Sequence, residues 1–203
     1  MSLVASMALG EVAEFVRGVT FTPSDLAPLG SAGTVACLRT KNVQDDLDLT
    51  DVWAISQRFV KRDAQFLRPG DILVSSANSW NLVGKASWVP ELPWRASFGG
   101  FVTVLRAKPE SVMARYLYWW FVSDRIQATL RSFGQKTTSI SNLNLTRCSA
   151  LRVPLPTLPE QERIVSILDR ANALRSEHRA ALDTLEELLS SLQDRAFRGE
   201  LFS

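Results

Sequence analysis

Three short segments concentrate the side chains that can read or grip a polyanion. Arg39, Thr40, Lys41 and Asn42 follow an apolar run at Val35–Leu38. Ser75-Ser76-Ala77-Asn78-Ser79-Trp80-Asn81 follows a second run at Ile72–Val74, with Lys85 shortly after. Phe133-Gly134-Gln135-Lys136-Thr137-Thr138-Ser139-Ile140-Ser141-Asn142 offers donors and acceptors around one positive charge. Asparagine pairs bidentately with adenine edges, serine serves base or phosphate, and lysine or arginine suits phosphate or guanine. Trp80 is unusual in such polar company. It is either a lid over the edge of the core, since tryptophan is mostly well buried, or a nucleic-acid contact. Each segment alone also reads as an ordinary turn; three of them in one basic stretch point to nucleic acid. The residues expected to touch nucleic acid are Arg39, Lys41, Asn42, Ser75, Ser76, Asn78, Trp80, Asn81, Lys85, Gln135, Lys136, Thr137, Thr138 and Asn142.

Catalytic constellations are missing. His178 is the only histidine and lies in a helical repeat, which argues against a Ser-His-Asp or Cys-His site. Cys37 and Cys148 are the only cysteines, so a four-ligand zinc framework is excluded. No G-x-x-x-x-G-K-[ST] occurs. Phe98-Gly99-Gly100-Phe101 is glycine-rich but lacks a strand–loop–helix setting, and reads as a tight backbone approach or a bulge within a strand. Asp45-Asp46 sits in a polar run and is expected to be solvated. These features predict a binding protein rather than an enzyme, with no metal and no cofactor of its own.

The 203 residues, 46% hydrophobic and 22% charged, describe one globular domain with an appendage. No window holds 18 uninterrupted apolar residues, so no membrane span is expected. Met1 to Glu11 lacks a basic stretch before a long apolar core, so no secretory signal is read there. The expected setting is the cytoplasm, with reduced thiols. The net charge of +2 hides an asymmetry. Residues 1–153 hold 17 Lys+Arg and 12 Asp+Glu, a net of +5, whereas residues 154–203 hold 6 and 9, a net of −3. Within 52–147 the balance is 13 to 5, a net of +8, preceded by the acidic run Asp45, Asp46, Asp48 and Asp51. A basic body with an acidic tail suggests one surface for a polyanion and another for a different partner, although charge alone favours the plainer reading of an ordinary solvated surface.

The elements that must position these residues fall into two parts. Residues 1–153 read as an α+β domain of short elements. Strands are expected at Val35–Leu38, in part of Asp51–Val60, at Ile72–Val74 after the Arg68-Pro69-Gly70-Asp71 turn, at Val83–Val89, Phe98–Leu105 and Ala150–Val153. Helices are expected at Glu110–Val122 and from a Ser123-Asp124 cap through Leu130. Phe133–Asn144 is polar, without periodicity, and reads as a loop. Residues 154–203 begin with a stiff proline connector, Val153 to Pro159. Thr157 stands at capping-box spacing from Glu160, and no proline or glycine intervenes from there to Phe197. With Gly199 as the stop, that makes one helix of about 60 Å.

The apolar positions of that helix decide its role. Ile164, Leu168, Ala171, Arg175, His178, Leu182, Leu185, Leu189 and Leu192 alternate spacings of four and three, a heptad seam broken only by Arg175 and His178. Ile167, Leu174, Ala181 and Leu188 widen the stripe. A helix this apolar on one face must pack on another long helix, and this chain has one. Folding back on its own domain is the simpler alternative, but the helix is longer than a small domain is wide. A partner helix from another chain is therefore expected.

The stretch Pro154-Leu155-Pro156-Thr157-Leu158-Pro159-Glu160-Gln161-Glu162-Arg163-Ile164-Val165 runs into a leucine-rich helix ending Ala196-Phe197-Arg198-Gly199-Glu200-Leu201. It strongly resembles the specificity subunit of type I restriction–modification systems. Leu9-Gly10-Glu11-Val12 and Arg17-Gly18-Val19-Thr20-Phe21 are similar to the opening of that family's target-recognition domain. Pro69-Gly70-Asp71-Ile72-Leu73, Val83-Gly84-Lys85-Ala86 and Gly134–Asn142 resemble later landmarks. The likeness runs from about Leu9 to Leu201.

The resemblance implies a protein that binds double-stranded DNA without doing chemistry. It would hold two methyltransferase (modification) subunits, which flip adenine and use S-adenosylmethionine, and help recruit the restriction motor subunit. A full specificity subunit carries two recognition domains and two spacer helices; this sequence has one of each and reads as a half-length form, with a recognition domain at 1–153 and a coiled-coil spacer at 154–203. Because the family's internal helix pair is antiparallel, an antiparallel homodimer through the Ile164–Leu192 seam is expected. Two alternatives are a recognition fragment of a single-chain restriction–methylation enzyme and a coiled-coil adaptor with no DNA role.

Overall fold

The computed structural model describes residues 5–133, 135–136 and 141–200. Two compact units divide the chain, Met1–Gln161 and Glu162–Ser203.

The first unit is α+β. It opens with β1 (Ser6–Ala8), a single helical turn α1 (Leu9–Val12) and β2 (Ala13–Arg17). Then come β3 (Leu26–Pro28), β4 (Thr34–Leu38), β5 (Trp53–Ser56), β6 (Ile72–Ser75) and β7 (Ala77–Asn78). Next are β8 (Ala86–Trp88), β9 (Ala96–Phe98) and β10 (Val102–Ala107), followed by helices α2 (Ala114–Val122) and α3 (Asp124–Ser132). Strands β11 (Gln135–Lys136) and β12 (Ser141–Asn142), helix α4 (Leu145–Ser149) and β13 (Arg152–Pro154) complete it.

Two four-stranded sheets carry the core. One has the order β2-β10-β6-β8 and is antiparallel; the other has the order β3-β5-β4-β9, with β4 and β9 parallel. Val16, Leu38, Leu73, Phe98, Val102 and Val104 form one buried cluster, and Val19, Val35, Cys37 and Ile55 a second. Arg68-Pro69-Gly70-Asp71 makes the expected turn, with Gly70 at φ 92° and the Asp71 amide donating to the Arg68 carbonyl at 3.0 Å. Both cysteines are buried and free. Burial pushes each thiol up to about 12, so neither is a nucleophile at neutral pH.

Several elements differ from expectation, each for a tertiary reason. Phe98–Leu105 is not one strand. The chain leaves one sheet at Phe98, turns through Gly99–Val102, where the Val102 amide donates to the Gly99 carbonyl at 2.9 Å, and enters the other sheet as β10. Val83–Val89 shrinks to Ala86–Trp88, and the helix expected from Glu110 starts at Ala114 as α2. The stretch read as a loop after Phe133 contains β11 and β12, because both find partners.

Gly18 is the tightest point of the fold. A side chain there would place its first carbon 2.2 Å from the Gly99 carbonyl oxygen, backbone that cannot yield. The Gly18 amide donates to the Val102 carbonyl at 3.3 Å and the Val19 amide to the Phe98 carbonyl at 2.8 Å, so the chain leaving β2 lies across the 99–102 turn. Gly18→Ala should destabilise the first unit by about 3 kcal/mol, read as a lower midpoint in urea unfolding; an unchanged midpoint would contradict the close approach.

Helix α5 spans Leu158–Phe197, 40 residues. Thr157 donates through its amide and its hydroxyl to Glu160 Oε2, both at 2.8 Å, which fixes the start. The division expected after Val153 falls after Gln161, because the proline segment is built into the first unit. Tyr116 donates from its hydroxyl to the Pro154 carbonyl at 2.8 Å, and the Leu155 amide to the Ala5 carbonyl at 2.7 Å. Gln161 is buried, accepts from the Met113 amide at 3.0 Å and donates to the Pro156 carbonyl at 3.0 Å. In the second unit the seam leucines Leu182, Leu185 and Leu189 are 55%, 61% and 57% exposed, an uncovered apolar stripe.

Candidate nucleic-acid interface

Two of the three polar segments, far apart in sequence, become one small sheet. Strands β11, β12 and β7 pair in that order, with Ser141 opposite Asn78, Asn142 opposite Ala77 and Gln135 opposite Asn142. The Leu143 amide donates to the Ser76 carbonyl at 2.8 Å and extends the join. A polar chain with no periodicity becomes strand here because β7 offers it an edge. Asn142 and Asn81 are exposed, and Trp80 stands 49% exposed at the tip of the following turn. Thr137 and Thr138 lie outside the described residues.

The third segment reaches the same place through the 99–102 turn. The Phe101 carbonyl accepts from the amides of Ser76 and Ala77 at 3.0 and 3.1 Å. On its other side the turn borders a cleft of about 420 Å³ lined by Val19, Phe21, Leu26, Arg39, Lys41, Gly99, Gly100 and Phe101. Arg39–Lys41, the Phe101 turn and the β7–β12 sheet thus form one continuous region.

Inside that region the predicted side chains separate into those on the surface and those holding the scaffold. Asn42 is a correction. It is fully buried, donates from Nδ2 to the carbonyls of Asp48 and Asp51 at 2.8 and 3.1 Å, and accepts from the Arg39 amide at 2.8 Å. Its amide closes the 39–51 loop and has no edge left for a base. Ser75 is also buried and accepts from Asn78 Nδ2 at 3.0 Å, while Asn78 Oδ1 accepts from the Ser79 amide at 2.8 Å. Ser75 and Asn78 therefore shape the loop that presents Trp80 and Asn81.

The acidic run does more than offset charge at a distance. Asp51 forms an ion pair with Lys41, lies 3.6 Å from Arg39, and accepts from Trp53 Nε1 at 2.7 Å. The Lys41 hydrogen bond is the main cause holding the Asp51 carboxyl below the usual carboxylate range. Lys85 donates to Gln44 Oε1 at 2.8 Å and faces Asp45 at 3.5 Å. Two of the predicted cations, Lys41 and Lys85, are thus held by the 39–51 loop, and a phosphate must compete with its carboxylates.

The exposed aromatics Phe101 and Trp53 were not among the predicted contacts. Phe101 is 63% exposed and Trp53 38%. The sequence signal for Phe101 is the pair Gly99-Gly100, read as a tight backbone approach or a bulge within a strand; the close approach is present against Gly18 and Val19, and in place of a bulge stands a turn that carries the ring. Among the described residues no group of three or more His, Cys, Asp or Glu is placed to hold a metal. No described helix is long and apolar enough to cross a membrane.

The sequence model of the type I restriction modification DNA specificity domain matches residues 1–187. The chain belongs to this family. It is 26% identical over 187 residues to the type I restriction enzyme StySPI specificity subunit of Salmonella potsdam, covering 91% of this chain and 40% of that protein. It is likewise 26% identical over 190 residues to the EcoKI specificity subunit of Escherichia coli K12, covering 93% and 40%. The fold superposes on the HsdS subunit from Thermoanaerobacter tengcongensis with a TM-score of 0.62 at 21% identity, over 97% of this chain and 45% of that one. A chain from a structural study of assembly and conformational transition of the type I R-M system gives a TM-score of 0.67 at 23% identity, over 97% and 46%. The chain spans less than half the length of these relatives and solved chains.

Proposed function

We propose that this chain is the non-catalytic, sequence-specific DNA-binding component of a type I restriction–modification system. It reads one half-site and scaffolds the adenine methyltransferase and restriction subunits in the cytoplasm. The observation that carries the reading is the convergence of segments 39–41 and 76–81 on the Phe101 turn, with strands Gln135–Lys136 and Ser141–Asn142 paired beside the latter, in a unit whose residues 52–147 carry a net of +8. Distant polar segments gathered beside exposed aromatics are what base and phosphate contacts require. S-adenosylmethionine belongs to the methyltransferase in this reading, and this chain binds no cofactor. The apolar stripe of α5 is covered by the same stripe of a second copy, antiparallel, because a self-complementary seam closes through a two-fold axis.

Two measurements test it. Anisotropy titration of the chain alone on duplex DNA should show weak binding that falls about 40-fold between 50 and 200 mM salt, as about three phosphate contacts imply. Salt-insensitive nanomolar binding would contradict that. Lys136→Ala and Asn142→Ala should each lower target methylation by the assembled system by about ten- to a hundredfold, the worth of one base contact, while assembly survives. Normal methylation by both would remove the β11–β12 strands from the reading surface.

A further inference from the structure

The cleft beside Phe101 has a composition that the general reading does not account for. Its lining combines the apolar and aromatic side chains of Val19, Phe21, Leu26 and Phe101 with the cations Arg39 and Lys41. Its volume of about 420 Å³ lies within the range of ligand-sized sites. The floor is bare backbone. A carbon added at Gly99 would stand 3.3 Å from the Phe21 ring, and one at Gly100 3.3 Å from the Val19 carbonyl oxygen.

Two features mark this cleft as a place where something docks. Phe101 is 63% exposed although its backbone is pinned by the Ser76 and Ala77 amides, so an apolar ring is held rigidly in water. Arg39 is the second. Its Nε and Nη2 are buried and find no hydrogen-bond partner among the described residues, and Asp51 Oδ2 at 3.6 Å is too far to serve as one. Buried polar atoms left unsatisfied are costly for folding and rare in native proteins. A rigid aromatic face beside an under-used guanidinium matches a planar base with a phosphate attached.

We propose that this cleft takes one nucleotide of the bound DNA out of the base stack, with its base against Phe101 and Phe21 and its phosphate on Arg39 and Lys41. The inference rests on the DNA-binding reading and deepens it: the captured nucleotide is held by this chain and is distinct from the adenine that is methylated. The base contributes through its π face, so the site tolerates base identity and acts on deformability, favouring target steps that unstack easily. Asp51 sets the competition, since the phosphate must draw Lys41 away from it.

The test is a double-mutant cycle with the full chain and its methyltransferase on a duplex carrying the methylated motif. Each nucleotide is replaced in turn by an abasic site, and each duplex is titrated with wild type, Phe101→Ala and Arg39→Met. At one position other than the methylated adenine, base removal should weaken wild-type binding about tenfold or more, the usual worth of one base–aromatic stack. It should cost Phe101→Ala nothing further. Arg39→Met should lose affinity while unfolding at the same temperature as wild type or above, because it removes buried unsatisfied groups; a purely structural arginine would lower that temperature. If Phe101→Ala binds as wild type, or if its loss multiplies with base removal at every position, the cleft holds no base and the DNA-binding reading stands without it. If no duplex is bound by the assembly at all, both fall.

Discussion

Leu185→Asp combined with Leu189→Asp should convert a dimer into a monomer and abolish target methylation, while the Met1–Gln161 unit keeps its unfolding temperature. Both side chains are more than half exposed within their own unit, so the substitution removes nothing that a single chain buries. In an antiparallel pair centred on the helix midpoint, Leu185 faces Ala171 of the second copy, Leu189 faces Leu168, and Leu192 faces Ile164. Two-fold symmetry counts each change twice. Four leucines lost, each worth about 1.5–3 kcal/mol when buried, remove at least about 6 kcal/mol, or about 10⁴-fold in association. Light scattering at micromolar concentration reads the change directly. The same symmetry constrains the DNA. In the proposed dimer each copy would bring one reader, so the methylated motif should be an interrupted palindrome: two inverted half-sites with an unread spacer. Sequencing methylated adenines in cells carrying this chain and its methyltransferase checks it. A contiguous or asymmetric motif, or a wild-type chain that is already monomeric, would sink the dimer.

Arg106→Ala should be the most damaging single change to the first unit. The guanidinium grips Asp71 through two bonds of 2.7 Å, and donates to the Ala64 and Phe66 carbonyls at 3.2 and 3.0 Å. The side chains of Arg106 and Asp71 are only 11% and 2% exposed. Asp71 also accepts from the Arg68 amide at 2.9 Å, so the pair ties β10 to the turn that starts β6. Truncating Arg106 leaves a buried carboxylate without its cation and strips two carbonyls of a donor, which costs about 3–5 kcal/mol. For a unit of this size that is about 6–20 °C in Tm. Calorimetry of the single variant and of Arg106→Met with Asp71→Leu separates the causes. The apolar pair should regain much of the loss, because the penalty lies in the stranded charge rather than in the missing attraction. A double variant as unstable as Arg106→Ala would show instead that the geometry of the ion pair is what the fold needs.

Sequence alone determined whatever depends on neighbours within a few residues. Thr157 and Glu160 set the start of α5, an unbroken run without proline or glycine carried it to Phe197, and spacings of four and three placed its apolar stripe, all consequences of bonding between residues four apart. The Arg68–Asp71 turn before β6 was equally local. Proline-rich 154–159 shows the limit, since its stiffness was evident while its docking through Tyr116 and Leu155 was not. Tertiary structure alone decided the site. Whether Gly99-Gly100 is a bulge or a passage between sheets depends on β2 crossing at Gly18, some eighty residues earlier. Whether Gln135–Lys136 and Ser141–Asn142 are loop or strand depends on the edge that β7 offers to β12, and β12 to β11. The same asparagine type serves the scaffold at Asn42 and the surface at Asn142, because burial comes from elements that pack over a residue and a polar side chain carries no mark of them. Phe101 makes the converse point: an apolar residue in an apolar run was left in water by the turn that lifts it.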